Sequence, residues 1–249
     1  MYDQTPWPFP LWIAHRGAGK LAPENTLAAF RLGAAHGYRA FECDVKLSAD
    51  DVPFLLHDAT LDRTTSGRGL AGELDWSALS RMDAGTWHSR AYAGEPLPSL
   101  KALAAWLHAN AFALDLEIKP TPGTERHTGK VVGREAARLW AGPAAPPLVF
   151  SSFRSEALAG ARETAPHIPR ALLLDTLWAG WLDTARELGC VAVITNYNLM
   201  SAQALGQIHG AATRGLVYTV NDPAHAAWLQ SIGIDGIITD AVDRFAPAV

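Results

Sequence analysis

The sequence predicts an α/β fold of the closed (β/α)8 TIM barrel class, and three observations predict it. Short apolar, strand-like runs alternate with helix-period segments from end to end, the pattern of parallel strands joined by crossover helices. The runs number nine, and one follows its predecessor too closely for a parallel crossover, so eight parallel strands remain. Ionisable residues gather at the C-terminal ends of the early strands, the rim on which barrels of this class carry their sites. A chain of 249 residues suits one such barrel, and a single domain spanning residues 1–249 is expected.

Taken in order, strands are expected at Leu11–His15, Arg39–Leu47, Val52–His57, Phe112–Lys119, Leu148–Phe153, Arg170–Leu174, Val191–Asn196, Gly215–Val220 and Gly236–Thr239. The gap between Leu47 and Val52 cannot hold the dozen or more residues of a parallel crossover, so Val52–His57 must return antiparallel. A hairpin turning around Ala49, Asp50 and Asp51 lays His57 roughly opposite Glu42 and Asp44. Helices are expected at Thr26–His36, Ser99–Ala109, Glu125–Trp140, Ser155–Thr164, Trp178–Leu188, Ser201–Ile208 and Pro223–Ser231. Asn25 or Thr26, Ser99 and Asp222 stand at N-cap positions, the last followed by Pro223 at N1. Residues 59–98 fit neither period and exceed an ordinary βα loop, so they are expected as an insertion over the C-terminal face.

Composition narrows the function. With 49% hydrophobic and 18% charged residues the chain has the material for a large core. A formal charge of −4 describes no broad basic surface, which excludes nucleic acid as the main partner. Cys43 and Cys190 lie in apolar strand-like stretches and read as free thiols. The N-terminus lacks a basic-then-apolar export pattern, and no apolar run approaches the roughly 20 residues of a spanning helix. A cytoplasmic protein without stable membrane association is expected; nothing in the sequence sets the oligomeric state.

The chemistry is written at the strand ends: His15 and Arg16, Glu42 and Asp44, His57 and Asp58, Glu117 and Lys119. Residues two apart on a strand share a face, so Glu42 points with Asp44 and Glu117 with Lys119. Buried strand charges are rare unless paired or bound to metal, and three carboxylates at one mouth repel each other without a cation. All-oxygen ligation by Glu42, Asp44 and Glu117 favours one divalent ion, Mg²⁺ or Ca²⁺. That ion, Arg16 and Lys119 together exceed the trio by a single positive charge, which fits a monoanion such as a phosphodiester. His15 and His57 can then share acid and base duties, since imidazole titrates near neutrality. The order of their roles is open at this point.

The strings His15-Arg16-Gly17, Pro23-Glu24-Asn25-Thr26, Glu42-Cys43-Asp44-Val45, His57-Asp58 and Glu117-Ile118-Lys119 resemble, in order and spacing, the glycerophosphodiester phosphodiesterase family of the cytosolic bacterial type. The likeness continues through Arg63-Thr64-Thr65, Tyr218-Thr219-Val220-Asn221 and the closing segment at Asp235–Asp240. It implies a barrel of the phosphatidylinositol-phospholipase-like type, His15 and His57 as the acid and base pair, and Glu42, Asp44 and Glu117 as metal ligands. It also implies a small-molecule glycerophosphodiester as substrate, hydrolysed to sn-glycerol 3-phosphate and an alcohol. Tyr218 stands where many members have Trp, which bears on the glycerol pocket.

Overall fold

The computed structural model describes residues 7–245 and 247; the remaining ends of the expected 1–249 domain lie outside the described residues. Eight parallel strands close on themselves: β1 (Trp12–Ala14), β2 (Ala40–Leu47), β4 (Ala113–Ile118), β5 (Leu148–Ser152), β6 (Arg170–Leu174), β7 (Ala192–Asn196), β8 (Arg214–Tyr218) and β9 (Gly236–Thr239). Closure is made by β1, which pairs with β9 through Trp12↔Ile237 and with β2 through Ala14↔Phe41. The expected hairpin is β3 (Pro53–Leu55), antiparallel to the upper end of β2 with Val45 opposite Leu55. Asp51 turns the chain there in the left-handed region, with φ of 61°. The strand is shorter than its sequence suggests. The Leu55 N–H turns away to the Pro98 carbonyl, so Leu56 and His57 continue past the ladder, and only the Leu56 N–H still reaches the Asp44 carbonyl, at 3.1 Å.

Helices α1 (Leu27–Ala35), α3 (Leu100–Asn110), α4 (Glu125–Leu139), α5 (Ser155–Thr164), α6 (Trp181–Glu187), α7 (Ala202–Gly210) and α8 (Pro223–Ser231) pack outside the strands, and α2 (Trp76–Leu79) lies between β3 and α3. Side-chain oxygens of Thr26, Ser99, Ser201 and Asp222 accept the first free amides of α1, α3, α7 and α8, as N-caps should. Helix α6 starts three residues later than the sequence period suggests, because Gly180 precedes it in the left-handed region with φ of 90°, a conformation no right-handed helix runs through. Helices α4 and α5 cross closely over glycines: a Cβ on Gly129 would sit 2.0 Å from the Ala157 carbonyl oxygen.

Apolar side chains form two concentric layers. The outer one, between strands and helices, holds Phe30, Phe41, Leu103, Leu114, Phe150 and Val193. The inner one fills the barrel with Ile13, Ala40, Ala113, Val149, Ala171, Ile194, Leu216 and Ile238, closed below by Phe9. Strand parity therefore turns the row Ala40, Glu42, Asp44 inward on β2, and Ala113, Asp115, Glu117 inward on β4. In the parallel register Glu42 lies beside Asp115 and Asp44 beside Glu117. Two adjacent strands thus carry an apolar floor and a carboxylate roof.

Between β3 and α3 the chain builds a compact segment around Leu61, Ala71, Leu79, Ala84 and Leu97. Asp83 holds it together by accepting from the Gly85, Thr86 and Gly94 amides and the Thr86 hydroxyl, bonds that keep its carboxyl well below the usual range. Trp76 packs against Phe54, and the Trp87 indole, 39% exposed, donates to the Ala84 carbonyl within the segment.

Candidate active site

Glu42, Asp44 and Glu117 are buried, and each offers a carboxylate oxygen within 4.8 Å of the others. Their surroundings differ, and so do their protonation tendencies. Burial works against ionisation of Asp44, but Arg16, Lys119 and His57 beside it and an Asn25 hydrogen bond outweigh that and hold it far below the usual carboxylate range. Burial, followed by the charges of Asp44 and Glu117, drives Glu42 well above that range. Burial and Asp44 push Glu117 up to about 8. Without a cation the three do not ionise together near neutral pH, which is the behaviour of a ligand set lacking its ion. Asp44 Oδ1 is buried and accepts no hydrogen bond among the described residues. An all-carboxylate trio with an unused oxygen fits a hard divalent cation, so the cluster can hold a metal.

Backbone geometry supports the trio from outside. After β1 the chain turns through Arg16 and Gly17, with φ of 52° and 100°, which aims the Arg16 amide at Glu42 Oε2, 3.1 Å away. Arg16 Nε lies 3.3 Å from Asp44 Oδ2. Asn25, also left-handed at φ of 58°, forms a reciprocal pair with Asp44: its side-chain amide donates to Oδ2 at 2.8 Å and its Oδ1 accepts the Asp44 N–H at 3.1 Å. Asn25 or Thr26 could cap α1 by sequence; the cap falls to Thr26, and Asn25 turns to Asp44 instead. Lys119 Nζ sits 2.7 Å from Glu117, 3.6 Å from Asp44 and 5.3 Å from the centre of the Phe153 ring.

Two imidazoles flank the trio, each held at Nδ1 by an aspartate. His15 Nδ1 lies 2.6 Å from Asp240 Oδ1, and its Nε2 is 3.7 Å from Glu42 Oε2. Asp240 is fixed by Asn221, whose Oδ1 takes the Asp240 N–H at 2.9 Å. His57 Nδ1 lies 2.7 Å from Asp58 Oδ1, and burial pulls its pKa below the ordinary value. In both rings the aspartate contact leaves Nε2 for the cavity. Asp240 is the residue that sequence reasoning missed: it lies 225 positions from His15 and meets it only because β9 closes against β1.

His15, Arg16, Glu42, His57, Glu117 and Lys119 all line one cavity of about 190 Å³, whose remaining wall includes Phe153, Leu173, Tyr218 and Ile238. Asp115 lies at its base, pushed up to about 7 by burial, with Ser151 donating to it at 2.6 Å. The cavity brings together every ionisable side chain singled out from the sequence except Asp44 and Asp58, which touch its lining from behind.

Residues 15–244 match the model of the glycerophosphoryl diester phosphodiesterase family. The chain belongs to that family. A phosphodiesterase from Oleispira antarctica, solved in complex with the product sn-glycerol-3-phosphate, superposes with a TM-score of 0.87 at 32% identity, covering 93% of both chains. The glycerophosphodiester phosphodiesterase of Agrobacterium tumefaciens gives 0.79 at 27% identity, covering 96% of this chain and all of that one (100%). In sequence, the glycerophosphodiester phosphodiesterase of Caldanaerobacter subterraneus is 28% identical over 234 residues, 92% of this chain and 93% of its own. The protein is therefore an enzyme of the glycerophosphodiester phosphodiesterase family. No helix among its described residues is long and apolar enough to cross a membrane.

Proposed function

We propose that this enzyme hydrolyses small glycerophosphodiesters to sn-glycerol 3-phosphate and an alcohol, with the whole chain acting as one catalytic domain and residues 59–98 lying over the site. His15 and His57 are the acid and base, Glu42, Asp44 and Glu117 the ligands of one Mg²⁺ or Ca²⁺, and Arg16 and Lys119 the cations that receive the phosphate. One observation carries this reading: Glu42 and Glu117, with Asp44 buried within ligand distance of both, line a cavity that both imidazoles also line.

The bound cation would neutralise negative charge on the phosphoryl oxygens. The chain's own residues supply the rest. Arg16 is tied to Glu24 and Asp44, so its guanidinium meets the phosphate already oriented. Lys119 is held beside Glu117 and adds a second positive charge. One imidazole takes a proton from the attacking water at Nε2, and the other delivers one from Nε2 to the departing alkoxide. Asp240 and Asp58 each accept a proton held at Nδ1, which leaves Nε2 of the base free to take a proton and supports the doubly protonated ring that gives one from Nε2. Phe153, Leu173 and Tyr218 give the organic part of the substrate an apolar wall.

The test is a coupled assay for glycerol 3-phosphate across glycerophosphocholine, glycerophosphoethanolamine and glycerophosphoglycerol, after EDTA treatment and again with Mg²⁺, Ca²⁺ or Mn²⁺ restored. Release that disappears with EDTA and returns with a divalent ion is expected. Unchanged release in EDTA, or none from any diester with every ion, would refute the proposal.

A further inference from the structure

Glu24 enters the catalytic account above only as a tie to Arg16 and Arg63 not at all, yet the two make five charged hydrogen bonds on the rim. Glu24 Oε1 accepts from Arg16 Nη1 and from Arg63 Nη2, both at 2.8 Å, and Oε2 accepts from Arg63 Nη1 at 2.7 Å. The other edge of the same guanidinium grips Asp58, with Nε 2.7 Å from Oδ2 and Nη2 2.9 Å from Oδ1. Asp58 Oδ1 is in turn 2.7 Å from His57 Nδ1. A continuous chain of contacts therefore runs from His57 through Asp58, Arg63 and Glu24 to Arg16, joining the loop after β3 to the loop after β1.

Elementary electrostatics says what this arrangement is for. The Arg63 side chain is 44% exposed, so its Coulomb contribution to folding is small. What a guanidinium adds is direction: a planar fork engaging two carboxylates in two-point fashion fixes their angles, which an ammonium cannot do. The neighbouring structure has its own fastenings, since Thr26 caps α1 and Asp83 pins the segment before α3. On the opposite side of the cavity, Asn221 steadies Asp240 behind His15. Arg63 occupies the corresponding place behind His57.

We propose that Arg63 is a positioning residue for the reaction: it locks Asp58, and through Asp58 the His57 ring, onto the loop that carries His15 and Arg16. This rests on the role given to His57 above. The alternative is that Arg63 merely ties two loops together.

A double-mutant cycle separates the two. Steady-state rates on glycerophosphocholine at saturating Mg²⁺ are compared for wild type, Arg63→Gln, Arg63→Lys, His57→Ala and the His57→Ala/Arg63→Gln pair, with a thermal melt of each. Arg63→Gln should lower kcat by roughly 10- to 100-fold with KM changed less than about threefold, and Arg63→Lys should restore little of it. In the His57→Ala background the Arg63 change should add no further loss. A kcat for Arg63→Gln within about twofold of wild type, or an equal loss in both backgrounds, overturns the proposal. If Arg63→Gln fails to fold, Asp58→Asn in the same two backgrounds decides by the same criterion. A wild-type rate in His57→Ala would instead bring down the role of His57, and this inference with it.

Discussion

The two halves of the barrel use one strand period to opposite ends. On β2 and β4 the inward row climbs from Ala40 and Ala113 to Glu42, Asp44, Asp115 and Glu117. Across the barrel, the inward row of β6 and β7 is apolar through Ala171, Leu173, Ala192 and Ile194, with Asn196 following only at the end of β7. Parity and burial are the same in both halves; only chemical character differs. One half concentrates charge against its own desolvation cost, and the other supplies the dry wall that strengthens every electrostatic contact it faces. The charged half is then expected to govern rate and ion binding, and the apolar half to govern stability.

The largest effects should come from the imidazoles that flank the charged half. His15→Ala and His57→Ala should each reduce kcat by roughly 10²- to 10⁴-fold in the glycerol 3-phosphate assay while leaving the melting temperature and Mg²⁺ binding in place. Asp240→Asn should produce a smaller loss, since it removes only the group that orients His15. Loss of the fold in either alanine variant would blur the contrast between the halves.

An opposite pattern is expected across the barrel. Ile194→Ala removes buried volume from the inner layer and should lower the unfolding free energy in urea by about 2–5 kcal/mol. Its kcat should stay within about threefold of wild type, because Ile194 is not among the residues that line the cavity. A large fall in kcat without loss of stability would mean that the apolar half takes part in chemistry.

A third, smaller effect follows from proton linkage. Burial raises Glu117 to about 8 and Asp115 to about 7 in the metal-free protein. A carboxyl whose pKa is higher folded than unfolded contributes stability that is fully present below its unfolded value and is lost as pH rises through the folded one. In EDTA the melting temperature should therefore fall between pH 5 and about pH 8.5. Added Mg²⁺ needs the ionised carboxylates, so it should raise the melting temperature more at about pH 8.5 than at pH 5. An equal rise at both values would deny that Glu117 is a ligand.

Much of this was legible in the chain. The barrel followed from counting strands and from the short gap before Val52, and Glu42, Asp44 and Glu117 announced themselves as charges inside apolar runs. His57 was harder, since the ladder ends at Leu55 and the imidazole lies beyond it. What the sequence hid were partners made by closure and by side-chain direction. Asp240 meets His15 only when the last strand pairs with the first, and Asn25 meets Asp44 only because its backbone is left-handed. Neither fact leaves a periodic signal. The late start of α6 at Trp181 has a similar origin in one glycine torsion.

The central claim is that the three carboxylates gather one divalent cation beside two imidazoles. Calorimetric titration of the EDTA-stripped protein with Mn²⁺ at about pH 8 tests it most directly, using wild type, Asp44→Asn and His57→Ala. One ion per chain in wild type and in His57→Ala, with none in Asp44→Asn, is the predicted result. Binding that survives Asp44→Asn undiminished, or no binding in wild type, would contradict it.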